Sequence, residues 1–95
     1  MSIRLLVEFD VKAGEKDAFV KILQAAKPGI ESVEGCEAVE VLVNLDAPGK
    51  VALSEVWDSK ELHDRYAEKM RQAGSMEAMA LRLDGPPKTL MFEIQ

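Results

Sequence analysis

The amino-acid sequence predicts an α+β fold of the ferredoxin-like kind, βαββαβ, with the helices on one face of a four-stranded antiparallel sheet. Three observations predict it. Apolar and polar residues alternate in four short segments, the period of a strand with one buried face. In two longer segments apolar residues recur at every third and fourth position, the period of an amphipathic helix. Glycine, proline and aspartate cluster between these segments and order them as strand, helix, strand, strand, helix, strand.

Ile3, Leu5, Val7 and Phe9 fall on every second position and make the first strand, which Ala13-Gly14 breaks. The first helix carries Ala18, Phe19, Ile22, Leu23 and Ala26 on one side, with Glu15, Lys16, Asp17, Lys21 and Gln24 facing away. Pro28-Gly29 is expected to end or kink it, because proline has no N–H and crowds the preceding turn, although Ile30 to Val33 can add one more turn. Glu34-Gly35-Cys36 turns the chain into a second strand, where Val39, Val41 and Val43 alternate with Glu40 and Leu42. Asp46, Pro48 and Gly49 then form a hairpin turn into a third strand, Val51 to Trp57.

Asp58 or Ser59 caps the second helix. Glu61 stands three residues after Asp58 in capping-box spacing, and Leu62, Tyr66 and Met70 form the inward stripe. Gly74 stops this helix, and Ser75 is expected to cap a short third one with Met76, Met79, Ala80 and Leu83. Asp84-Gly85-Pro86-Pro87 is a rigid turn, after which Leu90, Phe92 and Ile94 alternate in a fourth strand. The other face of the sheet is then expected to carry Leu6, Leu42, Val56 and Met91 among Arg4, Glu8, Glu40 and Glu93. That face is too apolar for solvent, so a second copy of the chain is the expected cover and a homodimer the expected state.

With 95 residues there is room for a single domain, residues 1–95, and a chain this short with 47% hydrophobic residues needs disulfides, metal or association to stabilise it. Cys36 is the only cysteine and His63 the only histidine, which excludes an internal disulfide and a closed tetrahedral zinc site and leaves association. The net charge of −5, with no Lys/Arg stripe, argues against nucleic acid as a partner. No apolar stretch reaches membrane-spanning length, and Met1-Ser2-Ile3-Arg4 lacks the pattern of a leader. Together with the unpaired cysteine, this sets the expectation of a cytoplasmic protein without a membrane partner. A phosphate-cradling glycine loop, a GxSxG elbow and an HExxH helix are all missing, so nucleotide and hydrolase chemistry fall away.

Glu34-Gly35-Cys36 before the second strand, Glu55-Val56-Trp57 ending the third, and a helix opening at Asp58-Ser59 resemble the antibiotic biosynthesis monooxygenase family of the dimeric α+β barrel superfamily. The resemblance implies a homodimer whose two sheets pack into a barrel, with a pocket in each protomer between sheet and helices. Some members oxygenate phenolic or quinol substrates without metal or flavin, and relatives degrade haem. Members often carry a histidine on the second helix where Tyr66 stands here, nine residues after Trp57, with His63 one turn earlier on nearly the same side. The haem-degrading relatives need an asparagine on the first strand, and Ile3 to Asp10 has none. Oxygenases of the family use an asparagine just before the tryptophan, where this chain has Leu53 and Glu55. No metal, flavin or haem is therefore expected.

The candidate catalytic residues are His63, Tyr66 and Glu55, and the candidate substrate-binding residues are Trp57, Leu53, Tyr66, Met70 and Met79. Trp57 shares a strand face with Val51, Leu53 and Glu55, so its indole points to the helices and offers a wall for a planar ligand, or is simply core. Glu55 is a carboxylate on an apolar strand face: it is paired with Arg65, Arg71 or Arg82, raised in pKa by desolvation, or lines a wet cavity. Tyr66 suits a hydrogen bond to a phenol or quinone oxygen. Histidine is the side chain whose ordinary pKa fits proton transfer near neutrality, unless His63 faces solvent. The expected function is cofactor-independent monooxygenation of a small phenolic or quinol-type compound. A non-catalytic binding or interaction module, and an isomerase or lyase of the same superfamily, are the alternatives.

Overall fold

A computed structural model describes the backbone of residues 1–95 and the side chains of all but Ser75, Met76 and Ala78. The elements run β1 (Ile3–Asp10), α1 (Lys16–Glu31), β2 (Cys36–Val43), β3 (Lys50–Trp57), α2 (Lys60–Gln72), α3 (Ser75–Ala80) and β4 (Lys88–Glu93). The four strands form one antiparallel sheet in the order β2-β3-β1-β4. This is the ferredoxin-like α+β arrangement that the periodicities predict.

Register decides which residues meet. Ile3, Leu5, Val7 and Phe9 of β1 stand opposite Trp57, Glu55, Leu53 and Val51 of β3, and Val39, Val41 and Val43 of β2 face Glu55, Leu53 and Val51 from the other side. All of these project to the helices, because residues two apart share a sheet face. Leu5, Phe9, Val39, Val51, Leu53 and Trp57 are buried there. From α1, Phe19, Leu23 and Ile30 close the core, with the Phe9 and Phe19 rings edge to face at 4.9 Å. Burying side chains of this size stabilises by about 1.5–3 kcal/mol each.

α1 runs through Pro28 to Glu31, so the proline does not end it and the further turn allowed for beyond it forms. The lost hydrogen bond near the helix end is offset by Ile30, 7% exposed, which the added turn carries into the core. The inward stripe is Phe19, Leu23 and Ile30, whereas Ala18, Ile22 and Ala26 are exposed. The cap of α3 is Gly74, left-handed at φ 75°, rather than Ser75; the Ser75 and Met76 side chains lie outside the described residues.

The fourth strand corrects the composition of the open face. Leu6 stands opposite Leu90 and Arg4 opposite Phe92, so Leu90 and Phe92 share the face turned away from the helices, while Met91, opposite Leu5, and Glu93, opposite Ile3, lie on the helix side. A shift of one residue exchanges every side chain between faces. Ile94 lies just past the strand, its N–H donating to the Ser2 carbonyl at 3.0 Å. The open face thus carries Leu6, Leu42, Val56, Leu90 and Phe92, with Phe92 50% and Leu42 42% exposed. Among the described residues, no helix is long and apolar enough to cross a membrane.

Candidate functional site

The site grows from the end of β3 and the start of α2. Ser59, in extended conformation, caps α2 by accepting the Leu62 N–H at 3.3 Å, which settles the choice between Asp58 and Ser59. Asp58 instead donates its N–H to the Gly35 carbonyl at 2.7 Å, tying the helix entry to the turn before β2. Gly35 has φ 93°, and a Cβ there would stand 2.6 Å from Leu62 Cδ1. Only glycine lets α2 approach this closely. The apolar stripe of α2 is only half-buried, and the one buried residue on the helix is His63.

Trp57 has no exposed surface. The His63 ring meets it edge to face at 5.5 Å, and the Tyr66 ring lies tilted against it at 5.4 Å. The indole N–H donates to Glu55 Oε1 at 2.7 Å from two residues along the same strand face. Glu55 therefore has neither Arg65, Arg71 nor Arg82 as partner. Arg82 pairs with Glu15 and Arg71 with Glu68. The cross-strand neighbours of Glu55 are Leu5 and Val39, both apolar, so its carboxyl is buried in surroundings of low polarity, 4% exposed.

Burial pushes the Glu55 carboxyl above its usual range, against the indole hydrogen bond and nearby His63, which pull it down. Burial also raises the Tyr66 phenol, and the Glu55 charge adds to this, so the hydroxyl stays a donor. His63 Nδ1 lies 3.3 Å from Asp64 Oδ1, whose other oxygen accepts from Lys60 Nζ at 2.6 Å. In the tautomer that donates from Nδ1 to Asp64, Nε2 is left to accept a proton. Glu55 Oε2, His63 Nε2 and the Tyr66 hydroxyl have no protein partner among the described residues. No buried side-chain N or O there lacks one, so all three keep contact with solvent.

Glu55, Trp57, His63 and Tyr66 thus converge. Met70 lines a groove of about 680 Å³ beside Tyr66, between α2 and the end of α1. Leu53 is buried in the core between Val7 and Val41, and Met79 packs against that core. A concavity lined by Leu6, Leu42 and Ala52 opens on the opposite face of the sheet, away from Glu55. Cys36, to which the sequence gives no nucleophilic or redox role, pairs across the strands with Trp57. Its thiol is pushed up by burial and then by Glu55. Counting back from the hairpin puts Glu37 opposite Trp57; a bulge between Cys36 and Ala38 puts Cys36 there instead. Among the described residues, no three His, Cys, Asp or Glu side chains gather to hold a metal ion.

The sequence model of the family described as antibiotic biosynthesis monooxygenase matches residues 2–74, from β1 through the whole of α2. The chain belongs to the antibiotic biosynthesis monooxygenase family. No curated protein sequence matches it significantly. Solved structures show the family fold at low identity. A conserved protein of Methanosarcina mazei is 17% identical at a TM-score of 0.89, covering 100% of this chain and 94% of its own. A protein of Mycobacterium tuberculosis is 15% identical at 0.86, over 100% and 96%. A monooxygenase of Streptomyces coelicolor, crystallised with nanaomycin D, is 20% identical at 0.83, over 99% and 88%.

Proposed function

We propose that this family member is a cofactor-independent monooxygenase acting on a small phenolic or quinol-type compound, as a cytoplasmic homodimer. One observation carries the reading: a buried carboxyl of raised pKa, held by the Trp57 indole, is gathered with His63 and Tyr66 around that indole. A raised pKa makes Glu55, once ionised, a stronger base for a phenol proton. Tyr66 donates to the substrate oxygen, and His63 Nε2 is the second proton acceptor. The deprotonated ring supplies every electron that dioxygen takes up: one oxygen atom enters the ring as the new quinone carbonyl, and the other leaves as water. Trp57 is fully covered, so Tyr66 makes the ligand contact and the indole positions Glu55. The solved structure of the Streptomyces coelicolor monooxygenase in complex with nanaomycin D supports a small-molecule ligand for this chain.

Oxygen uptake over a panel of phenols and quinols tests the reaction. Glu55→Gln keeps an acceptor for the indole but removes the base, and is expected to lower kcat about a hundredfold. Saturable binding without oxygen uptake across the panel would favour the binding-module reading, to which the full coverage of Trp57 lends support. The homodimer rests on the exposed apolar residues of the open sheet face. Light scattering is expected to give twice the monomer mass of 10.5 kDa, and a monomer mass would refute it.

A further inference from the structure

The groove beside Tyr66 has a charge asymmetry that the proposed reaction does not use. Ile30, Leu62 and Met70 give it apolar walls, and Tyr66, which also lines it, packs on the buried Trp57 ring. Two cations, Arg65 and Lys69, stand on its α2 flank. They are four residues apart, one helical turn, and so lie on one side of the helix. The chain carries a net charge of −5, and α2 has acids to spare, yet neither cation is in an ion pair among the described residues. Asp64 is engaged with Lys60 and Glu68 with Arg71. Glu61, four residues before Arg65, makes no bridge to it, and Glu34 is the one acid that also lines the groove.

We propose that this groove selects an aromatic ligand that bears a carboxylate, with the ring system against Leu62, Met70 and Tyr66 and the carboxylate between Arg65 and Lys69. The inference rests on the reading of Tyr66 as the ligand-facing residue and adds to it the substrate's charge. A guanidinium offers paired donors that match a carboxylate, and the neighbouring ammonium adds a point charge. Both cations are exposed, so each contributes modestly and the effect is screened by salt. The two together favour the anion by about fivefold over a neutral ligand of the same shape.

Calorimetric titration of the full chain with 1-hydroxy-2-naphthoate and with its methyl ester tests this, since the two differ mainly in charge. Expected is a Kd about fivefold lower for the acid at low salt, a difference that shrinks at high salt. Arg65→Gln with Lys69→Gln abolishes the difference while leaving the ester's affinity unchanged. Equal affinities for acid and ester overturn the charge selection; if Tyr66→Phe still weakens both, the Tyr66 reading stands without it. Binding of neither compound overturns both readings together. Arg65 and Lys69 sit on an exposed helix face, and circular dichroism checks that the double variant and Tyr66→Phe both fold.

Discussion

The two long helices cover the same face of the sheet and are built for different work. α1 buries three apolar side chains, Phe19, Leu23 and Ile30, and continues through a proline to seat the last of them. The single residue that α2 buries is a histidine. It is held at its start, by the Ser59 cap and by the approach of Leu62 to Gly35, more than along its length. One helix therefore carries stability, and the other carries polar groups to the end of β3 with little apolar anchoring of its own. Separating the roles lets a carboxyl, an imidazole and a phenol gather around one indole without unsettling the core.

The sharpest way to break this comparison is at α1. Phe19→Ala removes a fully buried ring packed on Phe9 and is expected to cost about 3–5 kcal/mol, read from urea unfolding. A loss below about 1 kcal/mol would show that α1 is not the anchor. Ser59→Ala is expected to cost about 1 kcal/mol by thermal melting, and because α2 has few other apolar anchors it should also lower ligand affinity. An equal stability loss with unchanged affinity would place the site elsewhere than on α2.

The smallest effect sharpens the comparison through pH. The Glu55 carboxyl is raised in the folded state, so the native protein holds that proton more tightly than the unfolded chain. Its contribution is fully present below the ordinary value of 4.5 and is lost as pH rises through the folded value. Glu55→Gln cannot ionise. It should match the parent below that pH and become relatively more stable above it, as read by melting temperatures across a pH series. A constant offset at every pH would mean that Glu55 does not titrate differently in the fold.

Element order was legible in the sequence because the two periods, strand and helix, depend on local spacing alone. The convergence of Trp57 and Tyr66 was legible too, since both alternate onto faces that the ferredoxin-like order brings together. The partner of Glu55 was not. A buried carboxylate takes whichever donor the packing supplies, and the indole two residues along the strand reached it where three distant arginines did not. The face assignment of β4 failed for a related reason. It is an edge strand with Leu90, Met91 and Phe92 in succession, so alternation there has no single apolar side to reveal.

The bulge in β2 has a bearing on how this chain tolerates changes of length. Between Cys36 and Ala38 the strand spends two residues where β3 spends one, so Glu37 is a supernumerary link in the ladder. Loss of that one codon would leave Cys36 opposite Trp57 and Ala38 opposite Val56 and simply regularise the pairing. Loss of any single residue from Val39 to Val43 would carry Val39 or its neighbours off the core face, in a strand that has no second slack position to absorb it.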